Sequence, residues 1–248
     1  MTDSHAHLDA CDEPASTLVA RAGAAGVTRV ITIGTGIDSC REALAIAEQH
    51  DGVHAALGID PHQAGTPEAS RVEELRELLA HPKAVAVGET GLDTVRRHGT
   101  PTDQRRLLDA HLTLADELDL PVVIHNREAD DETAAALAPF RGAVVLHCFS
   151  SASLVATAID RRYYVSFAGN ATYPNAGALR AAAVQIPADR ILVETDSPYL
   201  APQPVRGRPN EPAHVTHTIR TLAEARNETY EQLAAATHAN AAAAFRLS

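Results

Sequence analysis

Two histidines, His5 and His7, stand two residues apart in the stretch DSHAHLDA. In an extended segment alternate side chains point the same way, so both imidazoles converge on one point, a geometry that suits a metal ion. Four later apolar runs close on the same kind of group: VAVGE on Glu89, VVIH on His125, VVLH on His147 and ILVETD on Asp196. Any one of these alone reads as a hydrogen-bonded rim residue, because the chain has 13 histidines. Six in equivalent positions read differently, since a buried ring of carboxylates and imidazoles without a cation leaves its polar atoms poorly satisfied. The set exceeds what one tetrahedral ion needs. Two ions roughly 3.5–4 Å apart, bridged by a carboxylate and a water, use all of it. Glu89, on the middle strand, is the natural bridge. Asp196, on the last strand, can bind one ion and also accept a proton from attacking water. Such ions lower the pKa of bound water and stabilise charge on a phosphoryl oxygen.

Residues so far apart meet only if the fold gathers the ends of its strands. Short β-branched runs recur at Met1–His7, Thr28–Gly34, Val53–Ile59, Ala84–Glu89, Pro121–Asn126, Ala143–Cys148, Tyr163–Ala168 and Arg190–Thr195. Runs this apolar suit strands buried on both faces, as in parallel sheets. Helical segments separate them. SRVEELRELLA offers a capping box of Ser70 with Glu73 and apolar residues Val72, Leu75, Leu78 and Leu79. TDQRRLLDAHLTLADELDL turns Leu107, Leu108, Leu112, Ala115 and Leu118 to one side, and TYEQLAAATHANAAAAF opens with a second box, Thr229 with Gln232. Strands alternating with helices over 248 residues predict an α/β fold, a (β/α)8 TIM barrel forming one domain over residues 1–248. A doubly wound open sheet is the competing arrangement, but no GxGxxG follows the first strand. In a barrel the C-terminal strand ends share one rim, where active sites lie. The Pro-rich stretch Ser197–Pro212 reads as an ordered loop after the last strand.

Composition narrows the chemistry. Apolar residues make up 45% of the chain and aromatics 4%, so the core is built from Ala, Val, Leu and Ile. The net charge of −11 argues against a general binder of duplex nucleic acid and makes any attraction to phosphate local. Lys83 is the one lysine. It starts the fourth strand, six residues before Glu89, and so belongs at the opposite rim. A carboxylated lysine, the bridge in some two-metal barrel hydrolases, is thereby excluded. Cys11, Cys40 and Cys148 lack CxxC spacing, which argues against a disulfide framework or a thiolate zinc site and fits a reducing compartment. With no signal-peptide pattern and no apolar run of about 20 residues, a soluble cytoplasmic protein is expected. His50, His54, His81, His98, His111, His214, His217 and His238 read as surface or packing residues, with His62 held open.

With these residues in hand, the sequence resembles the TatD family of metal-dependent deoxyribonucleases, within the wider amidohydrolase-like barrels. The matching motifs are DSHAHLD, VGETGLD, PVVIHNRE, LHCFSS and ILVETDSPYLAP followed by RGRPNEP, in the family's order and over nearly the whole chain. The resemblance implies a divalent-metal-dependent phosphodiesterase acting on DNA, a 3′→5′ exonuclease that prefers single strands. It carries the metal ligands over to His5, His7, Glu89, His125, His147 and Asp196, with His5, His7 and Asp196 on one ion, His125 and His147 on the other, and Glu89 shared. Arg208 and Asn210, in the loop after the last strand, become phosphate contacts, a guanidinium being suited to a bidentate grip. For Arg208 a solvated loop charge is the alternative. His62 is the remaining substrate-contact candidate. Three positions depart from the family pattern. Asp60 stands where a second histidine is common in GIDPH; an acid there would repel phosphate, and a loop residue or one that supports a neighbouring site residue is the favoured reading. Thr94 and Val95 follow GLD where aromatics are common, which removes a base-stacking surface. Ser151 ends the usual HCFSG.

Two other functions use the same residues. One is a metallohydrolase of small molecules such as an amide, lactone or phosphotriester. The other is a binding module that keeps its metal for structure. Imidazole-rich ligation favours Zn, Mn, Co or Ni by softness, whereas the family is credited with Mg. Nothing in the sequence calls for a membrane or an obligate protein partner.

Overall fold

The computed structural model describes residues 1–96 and 98–247, so Ser248, the last residue of the expected domain, lies outside it. Eight strands, β1 Thr2–Ala6, β2 Arg29–Gly34, β3 Val53–Leu57, β4 Ala84–Asp93, β5 Val122–Arg127, β6 Val144–Leu146, β7 Tyr164–Phe167 and β8 Ile191–Val193, run parallel in sequence order. The helices between and after them are α1 Ala15–Ala24, α2 Ile37–Gln49, α3 Leu75–Leu79, α4 Pro101–Leu118, α5 Asp130–Leu137, α6 Leu154–Asp160, α7 Gly177–Gln185, α8 Val215–Arg226 and α9 Tyr230–Ala244. Closure comes at the seam of first and last strands. Ala6 bridges Ser197, the Asp196 N–H donates to the His5 carbonyl at 2.9 Å, and the His7 N–H donates to the Ser197 carbonyl at 2.8 Å. The expected barrel is therefore the observed fold. Among the described residues no helix is long and apolar enough to cross a membrane.

Alternation sorts the side chains of each strand. Ile31, Ile33, Ala56, Val85, Ala86, Val123, Val145, Tyr164 and Leu192 fill the interior, while the opposite faces join a larger core under the helices. Phe245, Ala241 and Ala244 belong to the interior cluster as well. Asn240 of α9 donates to the carbonyls of Ala188 and Ile191 at 2.8 Å each, and His238 meets Thr2 at 2.8 Å. Helix α9 thus floors the barrel below the starts of β1 and β8. The floor is also where Lys83 sits, its Nζ bonded to the carbonyls of His50, Asp51 and Val53 around the start of β3.

Two local expectations need correction. Ser70 does not cap a helix. Thr66 accepts from the Glu68 N–H at 3.2 Å, Pro67–Glu74 forms a 3-10 segment, and α3 begins only at Leu75. Pro67 decides this, because its fixed φ and missing N–H suit a first helical position better than a mid-turn one. The second correction concerns β4, which does not end at Glu89. Its register against β5 shifts between Val87 and Thr90, then continues to Asp93 opposite Arg127. The Thr229–Gln232 box is present in both directions, and Thr100 with Asp103 forms another at the start of α4.

Two side chains or their absence set how β4 and β3 reach the rim. At Gly91 (φ +151°) an added Cβ would lie 1.9 Å from the His125 carbonyl oxygen, so glycine alone lets β4 approach β5 there. At the end of β3 the Ile59 N–H donates to His111 Nε2 at 3.0 Å, while His111 Nδ1 lies 2.8 Å from the Leu107 carbonyl and must carry the proton. Burial pushes this imidazole down to about 4, so it is neutral in the fold.

Gly91→Ala is expected to cost about 3 kcal/mol or more in a urea titration, through overpacking and forbidden backbone. Gly23→Ala, in α1 with nothing within 4 Å, should instead gain roughly 0.5–1 kcal/mol. His111 makes stability depend on pH. An unfolded histidine takes its proton near pH 6.5, whereas the folded ring resists it down to about 4. Between those values the unfolded chain holds the extra proton, so stability falls as pH falls, by up to about 3 kcal/mol. Urea midpoints at pH 7 and pH 4.5 should diverge more for the wild type than for His111→Gln.

Candidate metal centre

The barrel brings His5, His7, Glu89, His125, His147 and Asp196 to one rim. Glu89, 5% exposed, divides its oxygens between two pairs of imidazoles. Its Oε1 lies 2.8 Å from His125 Nδ1 and 2.9 Å from His147 Nε2. Its Oε2 lies 3.4 Å from His5 Nε2 and 3.8 Å from His7 Nε2. Asp196 presents Oδ1 to His7 at 3.4 Å and to His5 at 3.7 Å. The β4 register shift places Glu89, and the seam between β1 and β8 places Asp196, whose backbone is left-handed (φ +55°).

These donors fit divalent ions. His5 Nε2 and His7 Nε2 are 3.3 Å apart, as are His125 Nδ1 and His147 Nε2. Nitrogens bound to one tetrahedral ion at about 2.0–2.1 Å stand about 3.3–3.4 Å from each other. A nitrogen and oxygen set of this kind suits zinc, manganese and their neighbours. His5–Glu89–His147 and His5–His7–Asp196 each hold their ligand atoms within 4.8 Å of one another. A third group, His62–Asp93–His125, does the same. Asp93 Oδ2 is 3.2 Å from His62 Nε2 and 3.3 Å from His125 Nε2, and His62 Nδ1 is 2.8 Å from Asp60. Asp93 stands four residues beyond the apolar run that closes on Glu89, because β4 continues past that residue. Extended alternation through Glu89, Gly91 and Asp93 was the signal that could have found it.

Without ions, protons balance the charge. Burial works to raise Glu89, but the His147 charge and bonds with His125, His147 and His5 hold it well below the usual carboxylate range. Asp196 is likewise lowered, burial being outweighed by His7, His5 and His147. Burial pulls every imidazole down, yet carboxylates raise His7, His125 and His147 above the ordinary value. His5 stays lowered, first by burial and then by His147, whose ring it stacks on at 3.9 Å. Asp60 has a different role from the one its charge suggested. Its bond is the main cause that raises His62 above the ordinary imidazole value.

A buried layer orients the ligands from behind. Glu194 is wholly buried, accepts from the Cys148 N–H at 2.6 Å and faces His147 Nδ1 at 3.4 Å. That carboxylate fixes the ring so that Nε2 points into the centre. Asp3, also wholly buried, accepts from the Thr195 N–H at 2.8 Å and hydroxyl at 2.5 Å, and burial pushes its carboxyl up to about 8.

The centre opens into a cleft of about 600 Å³. Arg96 and Arg127 line it, and sequence reading had singled out neither. Arg208 does not line it. Asn210 is 2% exposed, with its amide donating to the Thr195 and Tyr199 carbonyls, so it braces the loop and has no hydrogen left for a phosphate. His62 does line the cleft.

A family model described as TatD related DNase matches residues 2–246. A Mycobacterium tuberculosis protein named "Uncharacterized metal-dependent hydrolase TatD" is 40% identical over 260 residues, covering 100% of this chain and 98% of its own length. The "3'-5' ssDNA/RNA exonuclease TatD" of Cronobacter sakazakii is 37% identical over 243 residues, covering 94% of this chain and 92% of its own. The crystal structure of a TatD homolog from Escherichia coli superposes with a TM-score of 0.89 at 30% identity, over 100% of this chain and 98% of that one.

Glu194→Gln keeps an acceptor for the Cys148 N–H but loses the negative charge behind His147. Metal affinity, measured by competition with a chromogenic chelator, should fall about 10–100-fold. An unchanged affinity would remove Glu194 from the list of ligand-orienting groups. In both proteins the affinity should fall at lower pH, because bound ions displace protons from the raised imidazoles.

Proposed function

Since this chain belongs to the TatD related DNase family and is a metal-dependent hydrolase, we propose that it cleaves phosphodiester bonds of single-stranded nucleic acid, working from 3′ ends. The single observation that carries this reading is the pair Arg96 and Arg127 at the cleft, positive charge placed beside a carboxylate-rich centre in a chain of net charge −11. A neutral amide or lactone has no use for them, whereas a phosphodiester does. The name of the Cronobacter sakazakii relative supports the same substrate.

His5, His7 and Asp196 would hold one divalent ion, His125 and His147 the other, with Glu89 shared. When bound, such ions supply a nucleophile from water at neutral pH and stabilise charge on the phosphoryl oxygens. The residues do the remainder. Arg96 and Arg127 grip the non-bridging oxygens and hold the phosphate at the mouth. His62, whose two ring nitrogens face Asp60 and Asp93, holds the Asp93 carboxylate at the wall of the cleft. Asp196 keeps its carboxyl ionised and so can accept the proton that the attacking water gives up. The low overall charge makes long duplex a poor substrate, because affinity is confined to the cleft.

The test compares end-labelled single-stranded oligonucleotides with a panel of amides, lactones and phosphotriesters, with and without chelator. Shortening from the 3′ end that chelator abolishes is the expected result, and Asp196→Asn should lower kcat by about 10²–10⁴-fold. Turnover of the small esters alone would replace the nuclease reading with a small-molecule one.

A further inference from the structure

The cleft contains one aromatic ring that the chemistry above leaves unused. Among the described residues Tyr199 is the one Phe, Tyr or Trp that lines it. Its ring stands edge-on to His7, 5.9 Å between centroids, and is 56% exposed. That places an open aromatic face within one nucleotide's span of the metal ligands.

The ring's position is fixed by its backbone. The Tyr199 N–H donates to the Asp196 carbonyl at 2.8 Å, and its own carbonyl accepts from the Asn210 amide at 2.6 Å. The same amide donates to the Thr195 carbonyl at 2.8 Å, and the Asn210 N–H donates to the Pro198 carbonyl at 3.2 Å. Asp196 (φ +55°) and Leu200 (φ +50°) flank the ring in left-handed backbone, which L residues adopt only when the surroundings impose it. Leu200 lines the cleft beside it. A loop braced this firmly, yet leaving its largest apolar group in water next to the reacting centre, presents that group to a ligand.

We propose that Tyr199 is a base-stacking platform, on which the nucleobase next to the bound phosphate lies flat. The inference rests on the nucleic-acid reading of the cleft and adds a subsite to it. Stacking tolerates every base, because each has a π face, and it needs a base free of its own helix. Tyr199 therefore selects for unpaired ends by a means independent of charge. It also supplies the surface that Thr94 and Val95 do not.

Tyr199→Ala and Tyr199→Phe are to be assayed on two single-stranded oligonucleotides, one normal and one lacking the bases at its two 3′-terminal positions. The readouts are kcat/KM with metal and fluorescence anisotropy of labelled oligonucleotide bound to chelator-treated protein. On the normal strand Tyr199→Ala should lose about tenfold or more in kcat/KM and in affinity, and Tyr199→Phe less than about threefold. On the strand without terminal bases the alanine penalty should shrink below about threefold. An equal alanine penalty on both strands, or none on either, overturns the stacking platform while leaving the nuclease reading in place. Failure of the metal-loaded wild type to cut either strand overturns both. Thermal melts of the variants identify any loss due to unfolding, and the ratio between the two strands is insensitive to it.

Discussion

Glu89 sets one oxygen against His125 and His147 and the other toward His5 and His7, inside a rim from which water is largely excluded. A carboxylate buried among four imidazoles is stable only if positive charge accompanies it. Protons supply that charge in the bare chain, and divalent ions would compete for the same lone pairs. The demands on the fold follow from this. The strands must converge to within a few ångströms, β4 must slip its register at Glu89, and β5 must come close enough that only glycine fits at residue 91. The buried carboxylates of Glu194 and Asp3 extend the same constraint outward, holding the loop after β6 and the exit of β8.

Much of this was legible in the sequence, for a physical reason. Parallel strands are buried on both faces, so their apolar runs are conspicuous, and the polar residue that ends a run marks the rim. His5, His7, Glu89, His125, His147 and Asp196 all stand at the ends of such runs, and the structure gathers them. What the rule misses is a second polar residue farther along the same strand. Glu89 lies within β4, and Asp93 was lost with the remainder of the strand. Ser70 misled because a capping box is a local pattern, and Pro67 outcompetes it nearby.

Side chains in loops were harder to read, because composition does not reveal which hydrogen bonds are already spent. Asn210 resembles a phosphate donor in RGRPNEP, but both amide hydrogens serve the loop backbone. Asp60 looks repulsive to an anion until its partner is known. Its carboxylate lies 2.8 Å from His62 Nδ1, a bond that raises the proton affinity of that ring. Arg96 and Arg127 carry no motif of their own. They matter only because the ends of β4 and β5 bring them to one cleft.

The seam between β1 and β8 has a consequence for biosynthesis. His5 and His7 are made about 190 residues before Asp196 and the bonds that lock it to His5. A nascent polypeptide released only through β7 therefore carries five of the six candidate ligands without the strand that closes them into a ring. The ring of candidate ligands thus closes only after β8 and the residues that follow it have been made.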